Sequence, residues 1–279
     1  MVVNGLRLHY LDWGNEDALT MLLVHGGSAH AHIWDTVAPA FAGEHHVIAV
    51  DLRGHGDSEW APDGAYDRAA YIADLRELVS TEKLAPMVLV GHSMGANTAL
   101  SYAARHPDEI QALVMVDSGP GLADEAYERA GRVGAGTPME ASFEEFVDRV
   151  RRYSPYWPTE LVQSEVRHSL RPLPGGRWTW KGDPLLRSSE RHRKRRGQED
   201  AQELWTAWKH LRCPTLVVRG ESSRILPPEV AGRLLQALPG ARLVEVPKAG
   251  HRVPQDNPSE FVGAVSAFLS AARPSTYRI

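Results

Sequence analysis

Three short segments of this 279-residue chain carry residue types that could transfer an acyl group. The first is Gly91-His92-Ser93-Met94-Gly95, set between the apolar run Met87 to Val90 and a helical pattern that continues to Arg105. A serine at such a strand-to-helix turn takes a strained backbone that presents its hydroxyl, and small flanking residues leave room for the turn. The helix that follows starts with free amides and the positive end of its dipole, both facing any charge that develops beside Ser93. The second segment is His25-Gly26-Gly27, after the apolar run Thr20 to Val24. Glycine lets the backbone approach a reacting carbonyl, so the amides of Gly27 and Met94 are the candidate oxyanion hole. The third is Gly250-His251, between the run Arg242 to Val246 and a helix beginning near Pro258. A histidine there could reach back to the serine, acting first as base and then as acid. Of the 13 histidines, His25, His55 and His92 also lie in glycine-bearing loops and read as loop scaffolding.

A serine–histidine pair needs an acid that fixes the imidazole tautomer. Asp117 ends the apolar run Ala112 to Val116, at a strand's carboxyl end, where ligands bind in open α/β sheets. Glu221, directly after Gly220, is the alternative.

The positioning elements come next. Short apolar runs at Leu6 to Trp13, Thr20 to Val24, Val47 to Val50, Met87 to Val90, Ala112 to Val116, Thr215 to Val218 and Arg242 to Val246 suit strands, most of them buried on both faces. Helical patterns at Tyr66 to Glu82, Gly95 to Arg105, Pro228 to Ala237 and Pro258 to Ala271 alternate with them. That order predicts βαβ units and a doubly wound sheet. The alternation stops between about Gly119 and Trp208, where no strand series is visible and prolines separate helical stretches such as Phe143 to Tyr153. We therefore expect a sheet core of 1–118 and 209–279, with 119–208 inserted as a helical cap. The insertion holds 10 of the chain's 21 aromatic residues, Tyr127 among them. A small helical layer needs large anchors, and part of this surface could also face a pocket. Trp157 and Trp178, with Trp34 beside the glycine loop, are the candidate substrate contacts. The basic run Arg191 to Arg196 reads as a solvated face, because residues 119–206 carry 15 Lys and Arg against 14 Asp and Glu.

Together these motifs resemble the α/β-hydrolase superfamily, in the family's order and over essentially the whole chain. The resemblance rests on His25-Gly26-Gly27, Asp51-Leu52-Arg53-Gly54-His55-Gly56-Asp57-Ser58, Gly91 to Gly95 and Gly250-His251. In the family the stretch matching Asp51 to Ser58 is mainly structural. Many members place the acid where this chain has Ser223 or Arg224. The family's other acid location matches Asp117. The resemblance implies an α/β-hydrolase fold: a mostly parallel doubly wound sheet with an inserted helical cap. It also implies a serine hydrolase with a Ser93, His251, Asp117 triad and no metal or organic cofactor. The expected substrate is a carboxylic ester or lactone of a neutral, fairly apolar small molecule. C–C bond hydrolysis, perhydrolysis and lyase chemistry at the same site stay open, as does a non-enzymatic ligand receptor. Haloalkane dehalogenases and epoxide hydrolases of this fold use Asp as nucleophile, which sets them apart from a chain with Ser93.

Composition narrows the partners. Hydrophobic residues make up 43% and charged residues 24%, and the net charge of −4 leaves no nucleic-acid footprint. No stretch approaches the roughly 20 apolar residues of a membrane span. The single Cys213, expected as a buried thiol, excludes an internal disulfide framework and a multi-cysteine metal site. Met1 to Leu6 lacks a basic region followed by an apolar run, so the expectation is a cytoplasmic monomer or homodimer that acts on a small molecule.

Overall fold

A computed structural model of the chain describes residues 1–120, 140–187 and 198–272. The basic run Arg191 to Arg196 and Tyr127 lie outside the described residues. Seven strands form the main sheet: β1 (Tyr10–Asp12), β2 (Thr20–Val24), β3 (His46–Val50), β4 (Met87–His92), β5 (Ile110–Val116), β6 (Thr215–Gly220) and β7 (Arg242–Val246). Their spatial order is β7-β6-β5-β4-β2-β3-β1. All neighbours run parallel except β1, which pairs antiparallel with β3. The chain enters on the edge strand β1, passes to β2 near the centre, steps back to β3 between the two, and then crosses to β4 on the far side of β2. That reversal places a crevice at the carboxyl ends of β2 and β4, the usual ligand position in such sheets.

The apolar runs become strands because successive side chains enter opposite layers. Leu22, Val24, Ile48, Val50, Leu89, Leu113, Met115 and Val217 enter one core layer. Met21, Leu23, Val47, Ala49, Val88, Val90, Val114, Val116 and Val218 enter the other. The helices α1 (Arg68–Thr81), α2 (Met94–Arg105), α5 (Gln198–Lys209) and α6 (Pro228–Ala237) cover the first layer, and α7 (Pro258–Ala272) covers the second. Helix α1 opens on Asp67, whose carboxylate accepts from the Ala70 amide. Its buried Asp74 accepts two guanidinium hydrogen bonds from Arg53, each 2.6 Å. Cys213 is half-buried, and burial raises its thiol pKa.

Between β5 and α5 the chain leaves the sheet. Helices α3 (Phe143–Tyr153) and α4 (Thr159–Ser169) pack on a small core of Phe146, Val147, Val162, Val166 and Leu170. Helix α3 starts with a reciprocal capping box between Ser142 and Glu145. Here the structure differs from the expectation of a purely helical insertion. Glu140–Ala141, Leu170–Pro172 and Trp178–Trp180 form a three-stranded antiparallel sheet. Strands of two and three residues are too short to show a period of two in the sequence.

This layer is tied to the loops at the carboxyl ends of the strands. The Trp157 indole donates to Asp256, and Arg252 and Gln255 both donate to Glu165. On the other side Lys181 pairs with Asp57, the Trp60 indole donates to the Lys181 carbonyl, and the Tyr66 hydroxyl donates to Asp183.

Candidate active site

The sheet ladder positions the serine and the acid. Ser93 and Asp117 each stand one residue past a strand end, and their amides continue the ladder. Ser93 donates to the Val116 carbonyl at 2.9 Å, and Asp117 donates to the Val218 carbonyl at 2.7 Å. Both then turn into the left-handed region, at φ +53° and +50°. Side chains other than glycine rarely adopt that backbone, which costs of order 1–3 kcal/mol where the surroundings enforce it.

The surroundings do so at Ser93 through two glycines. A Cβ at Gly91 would stand 2.4 Å from the Gly95 carbonyl oxygen. One at Gly95 would stand 2.4 Å from the carbonyl oxygens of both Val24 and His25. Helix α2 therefore sits hard against the end of β2, with its first turn beside the His25-Gly26-Gly27 loop. Gly26 backs directly onto Ser93, whose Cβ would lie 3.1 Å from a Cβ at that position. Gly27 faces Met94. Neither the Gly27 nor the Met94 amide has a hydrogen-bond partner among the described residues.

His251 completes the arrangement. The Ser93 hydroxyl lies 3.0 Å from His251 Nε2, and His251 Nδ1 lies 2.7 Å from Asp117 Oδ2. With the Nδ1 proton donated to the carboxylate, Nε2 is left as an acceptor for the serine proton. Asp117 is wholly buried, whereas the His251 side chain keeps 27% exposure, enough to meet a substrate. The main chain around His251 is held from two sides. His92 Nε2 donates to the His251 carbonyl at 2.8 Å, and the Gly250 amide donates to Asp256 at 2.8 Å.

Asp117 collects further donors. The Ser223 hydroxyl reaches Oδ2 at 2.5 Å, and the Gly220 amide reaches Oδ1 at 3.2 Å. Ser223 stands where the resemblance would commonly put the acid, and here its hydroxyl donates to Asp117 instead. Its own amino-acid type was the available signal: a hydroxyl in that loop is a donor in search of a carboxylate. Glu221, the alternative acid, points elsewhere. It is exposed and accepts from the Lys248 amide at 3.0 Å.

The other loop histidines are structural. His25 is fully buried; its Nδ1 donates to the Gly26 carbonyl and its Nε2 accepts from the Leu52 amide. Burial lowers its pKa to about 4. His92 is likewise held well below the ordinary value, by burial and then by the neighbouring His251. Asp51 accepts from the Ala31 and Asp57 amides and from His9. Burial alone would raise its pKa, but these bonds, led by that from His9, hold it below the usual carboxylate range.

Two groups outside the triad offer three metal-ligand atoms within 4.8 Å: His9, Asp51 and Asp57, and His32, Asp35 and His168. In the first, Asp51 is spent on amides. In the second, the His32 and His168 rings stack at 3.5 Å and 22°, and His32 Nδ1 is paired with Asp35.

The three tryptophans expected at the pocket are packing residues. Trp34 is fully buried in the second core layer against Phe261. It closes the short turn Ala31–Trp34, whose Ala31 and Ile33 are buried as well. Trp157 is 7% exposed, with its N–H spent on Asp256. Trp178 packs its ring against Phe143, 5.4 Å between centroids.

The chain belongs to the alpha/beta hydrolase fold family, whose model matches residues 20–258. Among its relatives is 2-(acetamidomethylene)succinate hydrolase of Mesorhizobium japonicum, 28% identical over 90% of this chain and 88% of that protein. The esterase Rv0045c of Mycobacterium tuberculosis is 32% identical over 93% of this chain and 85% of its own. A solved E-2-(acetamidomethylene)succinate hydrolase superposes with a TM-score of 0.86 over 96% of both chains at 25% identity. These similarities support a hydrolase and leave the substrate undefined. No helix among the described residues is long and apolar enough to cross a membrane.

Proposed function

We propose that this chain is a serine hydrolase that cleaves a carboxylic ester or lactone through an acyl-enzyme. The observation that carries the reading is the hydrogen-bonded line from Ser93 through His251 to buried Asp117, at 3.0 and 2.7 Å. Ser93 Oγ attacks the carbonyl carbon while its proton passes to His251 Nε2. Asp117 holds Nδ1–H and balances the imidazolium charge. The carbonyl oxygen becomes an oxyanion, held by the unspent amides of Gly27 and Met94 at the start of α2. The tetrahedral adduct collapses, and the leaving alkoxide takes the proton from Nε2. Water then attacks the acyl-enzyme, with His251 again as base, to release the acid and restore Ser93.

Residues 140–187 serve as the lid in this reading, since they bridge the Asp51–Tyr66 loop and the loop that carries His251. The test is Ser93→Ala assayed on 4-nitrophenyl esters. The reading predicts a loss of at least about 10³-fold in kcat. Retention of full esterase activity would overturn it.

A further inference from the structure

One cation in the lid has no acidic partner among the described residues. Arg187 ends the short turn Pro184–Arg187 and is half-buried. Its guanidinium carbon stands 3.9 Å from the centroid of the Trp180 ring. A guanidinium stacked flat on an indole keeps its N–H edge available, because the stack uses only its face. Among the described residues no carboxylate pairs with it and no hydrogen bond uses its five donors. The nearest charge that acts on it is another cation, Arg149. Burial lowers its pKa to about 10, so it stays charged at neutral pH. Partial burial of an unpaired guanidinium is costly, and an anion brought to it offsets that cost.

The place where Arg187 stands says which anion. It lines a narrow cleft together with Ser28, His30, Gly56, Trp180 and Asp183. Ser28 is the residue after Gly27, so the cleft opens beside the glycine loop that backs onto Ser93. His30, whose Nδ1 is buried without a hydrogen-bond partner, stands on the same wall. Asp183 is the acid on the lining, but its two oxygens are committed to the Tyr66 hydroxyl and the Leu185 amide. The free volume is about 20 Å³, room for roughly one water-sized group. What fits is the polar head at the end of a chain and not a hydrocarbon tail.

We propose that Arg187, stacked on Trp180 and without an acidic partner, is the subsite for a carboxylate on the substrate, so that the preferred esters carry a free carboxylate on the acyl chain. The proposal rests on the serine-hydrolase reading for the reaction, but the subsite can be tested by binding alone. A planar guanidinium fork matches a carboxylate in geometry as well as charge.

Two matched substrates separate charge recognition from chemistry: 4-nitrophenyl hydrogen adipate and 4-nitrophenyl hexanoate, which differ in the terminal carboxylate. The wild type is expected to favour the adipate in kcat/KM. Arg187→Met should lose about 10- to 100-fold on the adipate, the usual range for one charge-assisted contact, and stay within about twofold on the hexanoate. Arg187→Lys keeps the charge without the fork, so it should fall between the two on the adipate alone; it also serves if the methionine variant does not fold. In parallel, monomethyl adipate is titrated calorimetrically into Ser93→Ala, and the same titration into Ser93→Ala with Arg187→Met should show binding weakened by a similar factor. Equal losses on both substrates, no wild-type preference for the adipate, or unchanged binding in the double variant would overturn the subsite. Full activity in Ser93→Ala, with the binding difference intact, would overturn the serine mechanism and leave the subsite standing.

Discussion

Replacing Asp117 by Asn changes one atom of the site and should silence it. The side chain keeps its volume, so the buried pocket at the end of β5 stays filled. Its three donors are what conflict. In the native site Oδ2 accepts from His251 Nδ1 and the Ser223 hydroxyl, and Oδ1 accepts from the Gly220 amide. An amide nitrogen at the Oδ2 position would face two donors, and His251 could accept from it only in the other tautomer. That tautomer turns an Nε2 proton toward Ser93 and removes the base. The opposite amide orientation sets its NH₂ against the Gly220 amide and still lacks the charge that balances an imidazolium. A comparable change in a serine triad costs about 10⁴-fold in kcat. For Asp117→Asn we expect about 10³- to 10⁴-fold, or roughly 4–5.5 kcal/mol of transition-state stabilisation. Glu221→Gln is the control, because Glu221 is exposed and its carboxylate accepts, among the described residues, only from the Lys248 amide; it should stay within about twofold. The assay is kcat and kcat/KM on a 4-nitrophenyl ester at pH 8, with melting curves to confirm folding. Activity of Asp117→Asn within tenfold of the wild type, or a larger loss in Glu221→Gln, would refute the assignment of the acid.

Two other outcomes follow from the same contacts. Gly95→Ala places a methyl 2.4 Å from the carbonyl oxygens of Val24 and His25, which are backbone atoms that cannot swing away; it should cost about 3 kcal/mol, seen as a fall in Tm on the order of 10 °C, and an unchanged melting curve would contradict the close approach of α2 to β2. Stability should also fall as pH drops from about 6.5 toward 4: buried His25 has a folded pKa lowered to about 4, so the unfolded chain takes up a proton that the native state refuses. This one group contributes roughly 3 kcal/mol across that window. Urea denaturation at pH 7, 6 and 5 should show the decline in the wild type and a shallower one in His25→Asn; equal slopes would contradict it.

The parts legible in the sequence are those with continuous patterns. The five strands β2 to β6 are runs of apolar residues because both sheet faces are covered, and a run of that kind needs no context to be read. The turn at Ser93 is legible because its two glycines are fixed by backbone contacts, which no side chain can satisfy. The lid is different. Its strands are two or three residues long, and one of their two pairings joins segments far apart in sequence, as when Trp178 faces Ala141. A tryptophan in such a segment suits a pocket or an anchor equally, and only the fold decides that Trp157 spends its N–H on Asp256. Arg187 carried no local signal at all, since a lone arginine after Leu185-Leu186 looks like any surface cation until its neighbours are known. Ser223 is the intermediate case. Its loop was recognised, but the direction of its hydrogen bond depends on where β5 ends.

The central claim is that Ser93 is the nucleophile. A fluorophosphonate that phosphonylates activated serines tests it directly, read by intact mass and by the peptide that carries the adduct. The account predicts a single adduct, on the peptide containing Ser93, with loss of esterase activity in proportion to labelling, and much slower labelling in Asp117→Asn. An active enzyme that takes no adduct at Ser93, or one inactivated by an adduct elsewhere, would contradict it.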